Sequence, residues 1–271
     1  AFADDLKIIR EVNDNTIVAM QRDVDCVWDW SIEYEMPISL DKSSVIHFGS
    51  NNPGHLYTCG PVSLPTVSEF KDLGVLHSAD GNYGAHISAI VQKARRLVGS
   101  SMRAMRSRNP TFLLNVFLTY IKPILSYASQ IWNPRLRMDV SLIESVQRRF
   151  TKRMTDLKNL SYIDRMEKLD LLSLESSRML TDLVTVYKIL HGLIDLSPES
   201  VGLRLCTSNS RGSGLRLQQT CVKKSSIASM FSYRVPAIWN SLPKEIIQCR
   251  TLSAFKSALK CYLHDLDASL F

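Results

Sequence analysis

Apolar positions recur at three- and four-residue spacing through most of this chain, and in short extended stretches within its first third. The turn Asn13-Asp14-Asn15 is a helix-start signal, and Ile17, Met20, Val24, Val27 and Trp28 then predict an amphipathic helix to about Glu35. Its polar face carries Asp23, Asp25, Asp29 and Glu33, and Trp30 and Tyr34 read as core or rim aromatics. From Ile38 to Gly49 a turn leads into a strand that Gly49 ends. Asn51-Asn52-Pro53-Gly54 is a loop, and short strands are expected around Leu56-Tyr57, Val62–Leu64 and Phe70–Leu76.

Beyond residue 83 the pattern is helical. Ile87, Ile90, Val91, Ala94, Leu97, Val98, Met102 and Met105 form one stripe over residues 83–108, with Lys93, Arg95, Arg96, Arg103 and Arg106 off it. A second helix starts at Thr111, with Phe112, Leu113, Val116, Phe117, Tyr120 and Ile121 inward and Pro123 kinking or ending it. A third spans 139–155, with Leu142, Ile143, Val146 and Phe150 inward and Arg148, Arg149, Lys152 and Arg153 near its C-terminal end. Ser161-x-x-Asp164 is a capping box, and a longer helix runs from about Leu174 to a C-cap at Gly192. Residues 197–220, rich in Ser, Thr, Gly and Arg, read as a loop or partly disordered linker. The tail offers an apolar-aromatic patch (Phe231, Tyr233, Trp239) and a last helix with Phe255, Leu259, Tyr262 and Leu263.

Charge changes this picture. Residues 1–84 carry 5 basic and 13 acidic side chains, net −8; residues 85–165 carry 15 and 4, net +11. An acidic start beside a basic middle suits a metal-carboxylate site next to a polyanion-binding surface, and equally a set of solvated helix faces. On the acidic helix carboxylates would repel phosphate, so that helix is expected to pack behind a functional face. The 45% hydrophobic content is ample for a core, and six scattered cysteines without a C-x-x-C pair indicate reduced thiols rather than a zinc site or disulfide framework. No apolar run approaches the length of a membrane span and no cleavable signal opens the chain, so an intracellular protein is expected; the start in mid-strand predicts a fragment.

The candidate chemistry lies at the beginning. Phe2-Ala3-Asp4-Asp5 followed by Leu6-Lys7-Ile8-Ile9 reads as a β-hairpin with two adjacent carboxylates at its turn. Such a turn is either an ordinary acidic turn or a seat for Mg²⁺ or Mn²⁺, hard cations that take carboxylate oxygens and substrate phosphates. Arginine forks on the two basic helices suit backbone phosphates, although no aromatic interleaves with them to stack bases, and cations at a helix C-terminus also complement its dipole.

The Phe-Ala-Asp-Asp box, a Trp-containing helix of about twenty residues, Lys42 in a turn before His47-Phe48-Gly49, and Lys71-Asp72-Leu73-Gly74-Val75 follow one another in order. In that order they resemble the last third of the palm in non-LTR retrotransposon (LINE) reverse transcriptases, especially Jockey-like ones. The resemblance continues through Tyr127-Ala128-Ser129-Gln130-Ile131-Trp132-Asn133-Pro134, Leu142–Arg149, Asp182–Gly192 and Trp239-Asn240-Ser241-Leu242-Pro243, and so covers nearly the whole chain. It implies an RNA-directed DNA polymerase acting with RNA template, DNA primer and dNTP in the nucleus or cytoplasm. It also implies that Asp4 binds catalytic metal with Asp5 beside it, and that Lys42 helps neutralise or protonate departing pyrophosphate. The segment Phe70–Val75 would be a primer-grip hairpin, with Lys71 near the primer and Gly74 allowing close backbone approach.

Tyr34 stands where many relatives carry a second Trp, a mild departure. A larger one concerns activity: the family's other metal-binding Asp, its fingers and its dNTP-binding segment all precede the box and are not in this sequence. Two adjacent carboxylates cannot alone fix two ions, so this polypeptide by itself is expected not to polymerise DNA. The alternative is a catalytically inactive remnant that binds nucleic acid through residues 93–108 and 148–153, or meets another protein through the C-terminal aromatic patch. The fold expected is α+β: a truncated palm (1–84) with a small antiparallel sheet and a helix, a helical thumb-like region (85–158), and a helical C-terminal region (159–271) with a loop near 197–220.

Overall fold

A computed structural model describes residues 5–13, 16–49, 51–206, 215–220 and 225–270. The chain forms two compact units, Ala1–Asn82 and Tyr83–Phe271. It is a mixed protein, rich in helix with small sheets, within the α+β class. Among the described residues no helix is long and apolar enough to cross a membrane.

In the first unit, α1 (Thr16–Glu33) starts where the Thr16 N–H donates to Asn13 Oδ1 at 3.1 Å and Asn13 N–H donates to Thr16 Oγ1 at 2.8 Å. Six short strands follow: β1 (Val45–Ile46), β2 (Thr58–Cys59), β3 (Val62–Ser63), β4 (Thr66–Val67), β5 (Glu69–Asp72) and β6 (Val75–Ser78). They do not make the single antiparallel sheet expected. β1 pairs with β4 in parallel, and β2 with β3 and β5 with β6 as separate antiparallel hairpins. Pro61 and Pro65 bracket β3 and lack the N–H a wider ladder needs.

The stretch Phe70–Leu76, read above as one strand, turns back at Leu73-Gly74, whose φ angles of 44° and 87° are both left-handed. Such a pair suits a two-residue hairpin turn, because its twist matches that of the strands. The strand expected over Leu6–Ile9 is absent: Asp5 makes only an isolated bridge, and the chain that follows is irregular. Lys7 and Arg10 instead reach Asp72 and Asp23 in ion pairs.

The core of this unit is small. Val24, Cys59 and Leu64 are buried, with Trp28, Ile38, Leu40 and Val45 around them. The Gln21 amide fastens α1 to β2, donating to the Thr58 carbonyl at 2.8 Å and accepting its N–H at 3.0 Å. Trp30 and Tyr34 face outward, stacked on each other with ring centroids 5.6 Å apart, because α1 packs inward through the Val24 and Trp28 side only.

The second unit is helical: α2 (Gly84–Ala104), α3 (Pro110–Val116), α4 (Lys122–Ser126), α5 (Ser129–Trp132), α6 (Arg137–Thr151), α7 (Tyr162–Lys168), α8 (Leu174–Leu190), α9 (Ser225–Ala228), α10 (Phe231–Ser241), α11 (Lys244–Ile247) and α12 (Leu252–Leu270). Between α3 and α4 a single π-turn, Phe117–Ile121, absorbs the N–H that Pro123 lacks, so the helical path continues to Ser126. This turn points Phe117 and Ile121 inward and leaves Tyr120 exposed; Phe112, also expected inward, is exposed on the outer side of α3. The capping box forms as read: the Asp164 N–H donates to Ser161 Oγ and the Ser161 N–H to Asp164 Oδ2, each at 3.2 Å.

Two of the sequence motifs have local structural work. Ala128 is left-handed (φ 53°), and the Trp132 indole N–H donates back to the Tyr127 carbonyl at 2.6 Å, closing the turn before α5. Trp239 donates to the Leu215 carbonyl at 2.8 Å, and Asn240 both donates to and accepts from the Leu217 backbone, at 2.7 and 3.0 Å. These bonds hold Leu217 against Leu205 in a β-bridge, and Leu203 and Leu217 are buried with Trp239, Phe255 and Leu259 in the main core. The described ends of the expected 197–220 linker are therefore built in. Trp239 is fully buried, so it is no part of an exposed aromatic patch.

Candidate nucleic-acid interface

Helices α2 and α6 pack together, with the apolar stripe of α2 (Ile87, Val91, Ala94, Val98, Met102) and Ile143, Val146 and Phe150 of α6 buried. Arg95 Nη2 donates to Ser145 Oγ at 2.9 Å, and Met102 and Lys152 line one cleft at the helix ends. The two C-terminal ends therefore lie side by side, and the basic segments singled out in the sequence meet there. The cleft, of about 590 Å³, is floored by Met102 and Met154 and rimmed by Lys152, Arg153 and Lys158, with Thr155 and Asp156 in the same turn.

The frame behind this rim is made of half-buried and buried polar side chains. The Arg108 guanidinium donates to the carbonyls of Met102 (3.0 Å), Met105 (2.6 Å) and Ser107 (3.1 Å), capping the end of α2, and Thr155 N–H donates to the Arg108 carbonyl at 3.0 Å. Arg165, which is buried, donates to the Thr151 hydroxyl and the Arg148 carbonyl at the end of α6 and to the Leu160 carbonyl beyond it. Arg165 is held by the Thr151 hydroxyl and two carbonyls, and Arg108, half-buried in the cleft lining, by three carbonyls. Arg148 lies over the Tyr162 ring, 4.8 Å from its centroid, with its charge at the surface. Tyr162 donates to Glu144 Oε1, whose other oxygen accepts the Leu174 N–H at 2.8 Å. Burial holds the Glu144 carboxyl above its ordinary range, against the opposing pull of these two donors. Gln147, fully buried, donates to the Tyr162 hydroxyl and to the Leu172 carbonyl, both at 3.0 Å, so these bonds cross the 158/159 division expected from the sequence.

Of the basic residues named from the sequence, Lys93, Arg96, Arg103, Arg106, Arg148, Arg149, Lys152 and Arg153 are exposed. Arg95 is not on that ridge: it is half-buried because Ser145 draws it toward α6. The helix end falls at Thr151, so Lys152 and Arg153 stand in the turn beyond it, where they rim the cleft. Sequence reading missed Lys158, the framing role of Arg108 and the methionine floor. Lys158 lies outside any apolar stripe, and only its turn brings it to the rim.

The carboxylate candidates belong to the first unit. Asp4 lies outside the described residues. Asp5 is exposed, and two residues on Lys7 pairs with Asp72 on β5, so this segment lies along the hairpin that carries Lys71 and Gly74. Lys71 is exposed in register with Leu76, and Gly74 occupies the turn. Lys42 is exposed at the end of a 3₁₀ turn, Leu40–Lys42, and among the described residues no hydrogen bond or ion pair joins it to Asp5. No group of three His, Cys, Asp or Glu side chains placed to hold a metal ion exists among the described residues.

A stretch of 128 residues, 46% of the chain, is 24% identical to an uncharacterized protein of Caenorhabditis elegans. The match covers 65% of that relative, so the chain spans just under two thirds of its length. No protein-family profile matches the chain, and no solved structure matches it.

Proposed function

We propose that this chain is a segment of the RNA-directed DNA polymerase of a non-LTR retrotransposon. In this reading the first unit is the C-terminal part of the palm, and the second holds the thumb-like and C-terminal regions. The observation that carries the reading is the β5–β6 hairpin with its left-handed Leu73-Gly74 turn, formed by the residues that resemble a primer grip. It is further supported by the Lys7–Asp72 ion pair, which lays the segment after Asp5 along that hairpin, and by the two basic helix ends meeting at one cleft.

Mg²⁺ or Mn²⁺ in the intact polymerase would neutralise charge developing on the transferred phosphoryl group. Asp5 offers a suitable hard oxygen donor, but the described residues supply no third carboxylate beside it, so they fit only part of a two-ion centre. Polymerisation therefore belongs to a longer polypeptide that also supplies the upstream Asp, the fingers and the dNTP site. Alone, the chain would bind template-primer duplex without extending it. Primer extension by this chain above an Asp4→Ala, Asp5→Ala control would overturn that part of the proposal.

The duplex test is direct. Anisotropy of a labelled RNA–DNA duplex, titrated with the chain at several salt concentrations, should give a log–log slope of about −3 to −5, the signature of roughly four to five phosphate contacts. Arg103→Gln, Arg106→Gln, Lys152→Gln and Arg153→Gln together should flatten it by about three. No duplex binding at low salt, or binding indifferent to salt, would sink the nucleic-acid reading.

A further inference from the structure

We propose that the cleft between the ends of α2 and α6 is a pocket for one unpaired nucleotide, with its base on the floor and its phosphate at the rim. This deepens the nucleic-acid reading and rests on it, since a duplex needs only the exposed cations.

The lining separates into an apolar floor that suits a base and a cationic rim that suits a phosphate. Met102 and Met154 are buried and present an apolar, polarizable floor, the kind of surface on which thioethers make favourable contacts with flat rings. Lys152, Arg153 and Lys158 stand exposed on the rim, and none has an ion-pair partner among the described residues. Their charge is available to a phosphate, and Arg108, also in the lining, is held at the α2 end by backbone carbonyls.

Asp156 is the feature that a plain phosphate site would not contain. It sits in the lining among these cations, takes no salt bridge among the described residues, and is held in a left-handed conformation (φ 63°) that Asn and Asp tolerate better than other side chains. A carboxylate beside a phosphate repels it, but it accepts well from an exocyclic amine, as acidic side chains do from cytosine N4. The pocket is accordingly read as selective for an amino-bearing base, cytosine first, over uracil. About 590 Å³ is ample room for a nucleotide.

The test uses the full chain in isothermal titrations with CMP, UMP, ribose 5-phosphate and inorganic phosphate. A parallel arm uses RNA–DNA duplexes that are blunt or carry a single unpaired C or U. CMP should bind about tenfold tighter than UMP, the effect of one hydrogen bond to a charged acceptor, and ribose 5-phosphate weaker than either. Asp156→Asn should narrow the CMP-to-UMP ratio to about two, and Lys158→Gln should weaken both nucleotides equally, with thermal melting unchanged in each variant.

CMP binding together with an equal gain from an unpaired C assigns the pocket to nucleotides in either source. A gain only in the overhang arm assigns it to the end of a strand, and CMP binding alone to free nucleotide. Ribose 5-phosphate or phosphate binding as well as CMP overturns the proposal, as does a CMP preference that survives Asp156→Asn. If duplex binds with its salt slope but neither arm distinguishes C, the pocket falls and the proposed function stands. If nothing binds in any arm, both fall.

Discussion

Glu144 offers the sharpest measurement of how the second unit is held. Replacing it with Ala removes one acceptor from the Leu174 N–H, at the first turn of α8, and one from the Tyr162 hydroxyl. Hydrogen bonds to a charged group contribute about 1.5–3 kcal/mol each, a figure that includes leaving the donor without its partner, so the two come to about 3–6 kcal/mol. Relief from burying a carboxylate offsets part of that sum. Glu144→Ala should therefore lose about 3 kcal/mol at neutral pH. Glu144→Gln keeps an acceptor for Leu174 but leaves the Tyr162 O–H without one, so it should lose about 1–2 kcal/mol, less than the Ala variant.

The same side chain sets a pH dependence. Its folded-state pKa is raised by burial above the ordinary 4.5, so the stability linked to its proton is fully present below about 4.5 and is lost as pH rises through the folded value. Urea unfolding followed by far-UV circular dichroism, from pH 4.5 to 8, measures both effects. The Gln variant should lack this share of the decline toward high pH. An Ala variant as stable as Gln, or a Gln variant with the unaltered pH profile, would refute the reasoning.

Asp267 on α12 accepts from the Ser173 N–H (2.8 Å) and from the Ser173 and Ser176 hydroxyls (2.9 and 2.6 Å), and it is buried. Asp267→Ala should cost about 3 kcal/mol and speed amide exchange at the C-terminal end of α12 more than in α2; equal acceleration would mean the contact is not local. In the first unit Gly60 is left-handed (φ 56°), and a Cβ there would run into the Trp28 ring. Gly60→Ala should cost about 2–3 kcal/mol within residues 16–78 and leave exchange in α8 untouched; unchanged exchange in α1 would refute it. Arg234 pairs with Asp182 at 2.7 Å in a buried setting, and Arg234→Met should destabilise by about 3–5 kcal/mol by stranding the carboxylate, with Asp182→Asn in the same chain restoring part of it.

Features that depend on near neighbours in the chain were legible in the residues themselves. The stripe from Ile87 to Met102, the Ser161–Asp164 box, the stop near Gly192, whose φ is 61°, and the inward Phe255, Leu259 and Leu263 each follow from local spacing or capping. Most of the two runs of cations were legible too, because side chains off an apolar stripe stay largely solvated; Arg95, drawn to Ser145, is the exception.

Pairing and convergence were decided elsewhere. Periodicity reads Phe70–Leu76 as one strand, and the hairpin that the resemblance implied depends on a turn that holds Leu73 as well as Gly74 left-handed. Whether Pro123 ends a helix depends on whether the surrounding core holds Phe117 and Ile121 through a π-turn. Arg95, Arg103 and Arg108 look alike in the sequence, yet one bonds Ser145, one is exposed and one caps its own helix. Lys152, Arg153 and Lys158 share a rim with Met102 because α2 and α6 end together. Local periodicity sets which face of a helix is buried, but the meeting of faces fifty residues apart is a property of packing, and it is there that the candidate site arises.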